Sequence, residues 1–261
     1  LGYTGYLHAL DYARSRPQGR PAGAKDPSTP QRPIIEHADV RRMLLAQKAY
    51  VEGGLALCLY AARLVDERRT AADEGARREA GLLLDILTPL VKAWPAQYCL
   101  EANDLAIQVH GGYGYTREYP VEQFYRDNRL NPIHEGTNGI QANDLVFRKV
   151  IRDGGAAAGA LFAEMRETVE ALKHLPGDDM AAISIALGKA VDALEKATAW
   201  LVEHGKRMPQ AAAAGAANYL RMFGITTGGF LMARAAMAAL QGQADPDADQ
   251  RFLDAKLITA R

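Results

Sequence analysis

Residues 103–146 read NDLAIQVHGGYGYTREYPVEQFYRDNRLNPIHEGTNGIQANDLV, and the order of signals in them decides how the rest of the chain is taken. A helical pattern runs into Gly111, Gly112 and Gly114, which permit positive φ and a close approach by a ligand or another backbone. A short helix is expected over 120–128. Asn131 and Pro132 then open a loop, and a helix resumes from about Asn138 to Arg152. Gly136, Thr137 and Asn138 put small and capping residues at that helix start, where free N–H groups favour anions. Glu135 lies just before it, in a loop otherwise poor in acids. Taken singly, these signs are ordinary. Gly-Gly after a helix is usually a C-cap, Thr-Asn at a helix start an N-cap, and a loop glutamate solvated.

Outward from this stretch the chain is helical. Upstream, residues 3–15 predict a helix ending near Arg16 and Pro17, and five prolines make 17–38 loop-like. Asp39 is placed as an N-cap. Val40, Leu44, Gln47, Val51, Leu55, Cys58, Ala62 and Val65 then form one apolar stripe, on a helix of about 40 Å. The charged residues 66–78 are expected to be a solvated turn. A second long helix runs from about Ala76 to His110, with a kink or break at Pro89 and Pro95. Gly154 and Gly155 mark a boundary. Beyond it helices are expected at 156–173, 179–206, 212–241 and from 248 onward, with Ile183, Leu187, Val191, Leu194 and Leu201 as the stripe of the second. No strand-type alternation and no repeat is found. The expected class is all-α: an antiparallel four-helix bundle over 1–153, then additional helices over 154–261.

Composition narrows the functions open to such a chain. It has 261 residues, enough for a sizeable core. Lys plus Arg equals Asp plus Glu, 31 each, so nothing draws it to nucleic acid or to an anionic membrane. Cys58 and Cys99 make no CxxC pair and no metal-ligand cluster. Both are read as buried free thiols, in keeping with a reducing cytoplasmic or matrix-like compartment. The apolar run at 222–240 is interrupted by Thr, Gly and Arg234, so no integral membrane segment is expected. The chain starts at Leu1 and stops inside a helical pattern, which suggests a piece of a longer polypeptide.

Together, QVHGGYGYT, EYPVEQFYRD and IHEGTNGIQ, in this order and spacing, resemble the acyl-CoA dehydrogenase family. ALDYARSRPQGR at 9–20 is similar to the family's helix ending in Arg-x-x-Gly, and IIEHADVRRMLLA at 34–46 to the opening of its long bundle helix. The resemblance covers residues 1–152. AANYLRMFGITTGGFLMARAA at 216–236 resembles the extra helical region of longer members, those similar to 3-methylmercaptopropionyl-CoA dehydrogenase.

The resemblance implies an FAD enzyme that dehydrogenates an acyl-CoA thioester between its α and β carbons, with electrons passing on to an electron-transferring flavoprotein. In such enzymes a helical amino-terminal domain and a middle β domain precede the bundle; both are absent from this chain. By position Glu135 matches the base that removes the α-proton, while the β-hydrogen leaves as hydride to flavin N5. Burial against flavin and thioester would raise the pKa of such a base. Thr137 and Asn138 match cofactor contacts after the base. Gln108, Gly111 and Gly112 match the Gln-x-x-Gly-Gly that approaches the FAD of a partner subunit. Arg16 and Gln18 match contacts to the FAD pyrophosphate and adenosine, again across the subunit interface, and His37 a contact near the adenine. His134 and Gly136 flank the base on the substrate side.

Three departures stand out. His134 replaces a common tyrosine, either lining the acyl pocket or closing the loop. The insert AGAKDPSTPQRP lengthens the loop after Arg16, and Gly19 replaces a bulky aromatic. The implied assembly is a homo-oligomer, namely a dimer. Two alternatives remain beside this reading: a non-catalytic helical oligomerisation module derived from the family, and a relative with different flavin chemistry such as an oxidase.

Overall fold

The computed structural model describes all 261 residues and contains helices with no β-sheet. The helices are α1 (Gly2–Ser15), α2 (Ala38–Thr70), α3 (Glu74–His110), α4 (Val121–Asn128), α5 (Asn138–Asn143), α6 (Ile151–Asp153), α7 (Ala156–Lys173), α8 (Asp178–His204), α9 (Pro209–Gly242) and α10 (Gln250–Ala260). A π-helical stretch, Asp144–Val150, joins α5 to α6. The chain divides into two compact units. One comprises Leu1–Glu52 and Pro95–His134; the other comprises Gly53–Trp94 and Glu135–Arg261.

In the first unit α1 packs against α4 and the 3-10 turn Ile34–Glu36. Its core gathers Tyr6, Ala9 and Ala13 of α1 with Met43, Leu44, Val51, Ala102, Ala106 and Val109. Asp39 is not the N-cap. The 3-10 turn feeds straight into α2, so the His37 carbonyl accepts the first helical bond, from Arg41 N at 3.0 Å. The Asp39 carboxylate, one residue inside the helix, accepts from Arg42 Nε instead.

In the second unit α7, α8, α9 and α10 pack on one another. Leu57, Leu64, Ile86, Leu87, Leu90, Leu161, Met165, Leu194, Phe223 and Phe230 are fully buried. The stripe expected on α8 is buried throughout. Gly154 and Gly155 are both left-handed, at φ 69° and 84°. The Asp153 carboxylate receives the N–H groups of Gly155 and Ala157, which caps the start of α7.

Further expectations needed correction. The helix α3 is unbroken through Pro89 and Pro95. An interior proline costs about 3 kcal/mol. Leu83, Ile86, Leu87, Leu90 and Trp94 are all buried around that stretch. Burial contributes about 1.5–3 kcal/mol for each large apolar side chain, so packing wins. The turn between α2 and α3 is also shorter than the charged run suggested, only Ala71–Asp73.

The apolar stripe of α2 holds through Leu44, Gln47 and Val51, then moves one position. Beyond Val51 the buried residues are Gly53, Gly54, Leu57, Tyr60, Ala61 and Leu64, while Leu55, Cys58 and Ala62 face solvent. Cys58 is therefore an exposed thiol, and Cys99 is half-buried beside Gly2.

By length and composition α9 could cross a membrane, yet 61% of its most apolar window is buried inside its unit. That is the behaviour of a core helix, and the core around it is built on Trp94. A Cβ on Gly224 would lie 2.5 Å from Trp94 Cδ1, and one on Gly228 or Gly53 2.8 or 2.9 Å from the same indole. Three glycines thus form the bed in which one large ring lies.

Candidate functional site

The first unit places Arg16 at the end of α1, where the helix stops and the chain turns extended. Its guanidinium lies over the Tyr113 ring, 5.5 Å from the centroid. Its Nε is buried and has no hydrogen-bond partner. One turn earlier on α1, Tyr12 stacks on His110 at 4.3 Å, and Tyr119 packs edge-on against both. Tyr12, Arg16, His110 and Tyr119, with His8 and Asp11, line a cavity of about 320 Å³. An aromatic wall with one incompletely satisfied guanidinium suits a flat or anionic ligand.

Gln18 and His37 meet through Gln18 O and His37 Nε2, 2.7 Å apart. The Pro-rich insert is an ordered loop. Its ends pair through Gln18 N to Arg32 O and Arg32 N to Gly19 O. The Arg20 guanidinium ties its interior by donating to the carbonyls of Thr29 and Pro27. Gly19 has φ 73°, and a Cβ there would lie 3.0 Å from His37 Nε2, a tight contact. The left-handed backbone together with the nearby ring disfavours the aromatic common in the family.

Gln108 is exposed near the end of α3, and Gly111 and Gly112 follow it in a 3-10 turn. A Cβ on either glycine would meet nothing within 4 Å. The face they present is open.

His134 closes the turn after α4, its N–H donating to Leu130 O, and its ring is exposed. That contact fits the loop-closing role; the acyl-pocket role is left untouched by it.

In the second unit Glu135 is the one non-glycine residue with positive φ, at 52°, and Gly136 follows at 81°. Left-handed backbone costs an ordinary residue about 1–2 kcal/mol. Its side chain is exposed and its N–H takes no partner within the chain. The burial expected for a base is thus not supplied by this chain's own residues. Thr137 caps α5 by accepting from Ile140 N. Asn138 Oδ1 is buried without a partner. Gly136 lies close to Gln141, where a Cβ would come within 2.9 Å of Nε2.

The fold is all-helical, and comparisons with known proteins give its family. Residues 5–149 match the acyl-CoA dehydrogenase C-terminal domain, and residues 161–261 match the acetyl-CoA dehydrogenase C-terminal-like family. The chain belongs to the acyl-CoA dehydrogenase family, of which it carries the carboxy-terminal helical domains. It is 40% identical over 98% of its length to 3-methylmercaptopropionyl-CoA dehydrogenase of Ruegeria pomeroyi. It is 32% identical over 99% to a butyryl-CoA dehydrogenase of Syntrophomonas wolfei. In both cases it spans 42% of the relative. The fold superposes on an acyl-CoA dehydrogenase from Bacillus anthracis, solved with FAD, at a TM-score of 0.70 and 17% identity, covering 99% of this chain and 43% of that one.

Proposed function

We propose that residues 1–153 form the bundle, and 154–261 the extra helical region, of an FAD-dependent acyl-CoA dehydrogenase in which Glu135 removes the α-proton of the acyl-CoA thioester. The observation that carries this reading is the backbone at Glu135. A carboxylate is held in left-handed backbone, with its own N–H unpaired, directly before a capped helix start. Strain of this kind persists where the surrounding structure over-determines it, and it clusters at active sites. The unpaired N–H can donate to the thioester oxygen and acidify the α-carbon while the carboxylate of the same residue takes the proton. The desolvation that would tune this base falls to segments the relatives possess beyond the share this chain covers.

The residues present fit FAD. In the first unit Arg16 Nε is a buried donor without a partner, and in the second Asn138 Oδ1 is a buried acceptor without one. Arg16, with Gln18, Gln108, Gly111 and Gly112 of the same unit, would meet the FAD of a partner subunit, Arg16 at its pyrophosphate. Thr137 and Asn138 would hold the cofactor near the base, and His134 and Gly136 would border the acyl group. Bound FAD supplies the acceptor for the β-hydride. An electron-transferring flavoprotein as the next acceptor, and self-association into a dimer, belong to the same reading. The outward apolar residues Leu55 and Leu59 of α2 support the latter.

The test is Glu135→Gln in the full-length polypeptide, assayed on acyl-CoAs of graded length with an artificial electron acceptor. Turnover should fall by about 10²-fold or more with FAD retained. Retention of more than about a tenth of the activity would overturn the assignment.

A further inference from the structure

A run of side-chain amides crosses the first unit and ends just before the segment that carries Glu135. Asn103 Nδ2 donates to Leu1 O at 3.2 Å, and Asn128 Nδ2 donates to Asn103 Oδ1 at 2.8 Å. Asn131 Nδ2 then donates to Asn128 Oδ1 at 2.6 Å. The three residues sit on different pieces of chain: Asn103 on α3, Asn128 at the last position of α4, and Asn131 in the turn that follows.

Asn103 and Asn128 are 0% and 2% exposed. A carboxamide withdrawn from water is unfavourable unless it is hydrogen-bonded, and here each side chain meets the other's demand. An apolar pair would fill the space without creating that demand, so packing alone does not account for two asparagines. Helix α1 makes room for them, because Gly5 faces Asn103 and a Cβ there would collide with its Nδ2.

The backbone past Asn128 is tied in the same place. Asn131 N donates to Asn128 O, and Ile133 N and His134 N both donate to Leu130 O. The next residue is Glu135, whose left-handed φ lasts only if the chain on either side is fixed. Thr137 fixes the far side through its cap.

We infer that Asn103, Asn128 and Asn131 are positioning residues for Glu135: the amide relay immobilises turn 129–134 and so holds the strained backbone from which the carboxylate is presented. This rests on the reading of Glu135 as the base. Amides linked in series polarise one another, and a half-satisfied relay is worse than none. A catalytic group must be held to within a fraction of an ångström, and displacement by about 1 Å can cost on the order of a hundredfold in rate.

The experiment uses the full-length flavin-loaded polypeptide and an acyl-CoA substrate. Thermal midpoint, flavin content, kcat, KM and the isotope effect with α-deuterated substrate are measured for Asn128→Ala, Asn131→Ala and the double variant Asn103→Ala/Asn128→Ala. Asn128→Ala strands Asn103 Oδ1 and should destabilise. The double variant removes both buried amides and should recover part of the midpoint. Positioning requires that its kcat nevertheless stay about tenfold or more below wild type, with KM and flavin content near wild type and a larger isotope effect. A kcat that recovers along with the midpoint overturns the proposal. Should the double variant fail to fold, Asn131→Ala decides, because it cuts the last link and leaves the buried pair intact. It should lower kcat while reducing the midpoint less than Asn128→Ala does, and an unchanged kcat overturns the proposal. Glu135→Gln is run beside them. Normal asparagine variants next to an inactive Glu135→Gln sink the relay alone, whereas an active Glu135→Gln sinks the base assignment itself.

Discussion

The ring of Tyr12 lies flat against that of His110, centroids 4.3 Å apart and planes 22° from parallel. The His110 Nδ1 meets the Ala106 carbonyl at 2.8 Å, and the residue is only 4% exposed. Burial lowers the pKa of His110 below its ordinary 6.5, the Ala106 carbonyl opposes that shift, and His8 adds to it. The folded chain therefore binds fewer protons here than the unfolded chain. The stabilisation is full above the unfolded value and is lost as pH falls through it toward the lower folded one. The calorimetric midpoint should drop between pH 7.5 and 5.5, and His110→Phe, which keeps a stacked ring, should lose part of that drop. Identical pH profiles for the two proteins would remove His110 from the account.

Glu135 offers a separation of stability from activity. Replacing it with glycine relieves about 1–2 kcal/mol of left-handed strain and returns about 0.5–1 kcal/mol as backbone entropy. Glu135→Gly should melt at or above the wild-type temperature while losing the proposed base. A clear fall in midpoint would mean that the backbone at 135 is not strained.

The glycine bed of Trp94 makes a sharp packing prediction. In Gly224→Ala and Gly228→Ala the new methyl meets the indole at 2.5 and 2.8 Å, inside any normal contact. Overpacking a core of this kind costs about 1–3 kcal/mol. Gly229→Ala, one position on, has open space and should be neutral or slightly stabilising through helix propensity. Denaturant midpoints of the three variants check the contrast, and equal values would disprove the bed.

Arg16 can be tested through the cofactor. In the full-length polypeptide Arg16→Ala should weaken FAD binding about tenfold or more without changing helix content, as expected for loss of a charge-assisted contact. Arg16→Lys should recover only part, because a lysine neither forks nor lies over Tyr113 as a plane. Flavin affinity equal to wild type in the alanine variant would remove Arg16 from the site.

Legibility in the sequence followed the range of the interaction. The α8 stripe could be read because every residue in it answers to one periodicity. The α2 stripe could not be followed past Val51, since a choice between Leu55 and Gly54, or Cys58 and Leu57, turns on which neighbours pack there, and both options are apolar. Pro89 and Pro95 misled for the same reason: local chemistry argued for a break, and burial from elsewhere overruled it. Within the site, Glu135 and Arg16 were visible through the motif strings they stand in. The strain at Glu135 was not, because a glutamate carries no sign of positive φ. Asn103 and Asn128 were invisible as a pair. They lie 25 positions apart, and each alone reads as an ordinary polar helix residue. Tyr12, His110 and Tyr119 stand in the motif strings, but nothing in the sequence brings their rings together.

The placement of the aromatic residues divides the molecule spectroscopically. Both tryptophans, Trp94 in its glycine bed and Trp200, belong to the second compact unit. Nine of the eleven tyrosines belong to the first, leaving only Tyr60 and Tyr219 in the other. Tryptophan emission therefore reports on the second unit. Near-ultraviolet tyrosine dichroism is weighted the opposite way. Followed together through a denaturant titration, the two signals show whether the halves of this chain melt as one cooperative body or in succession, with no label added.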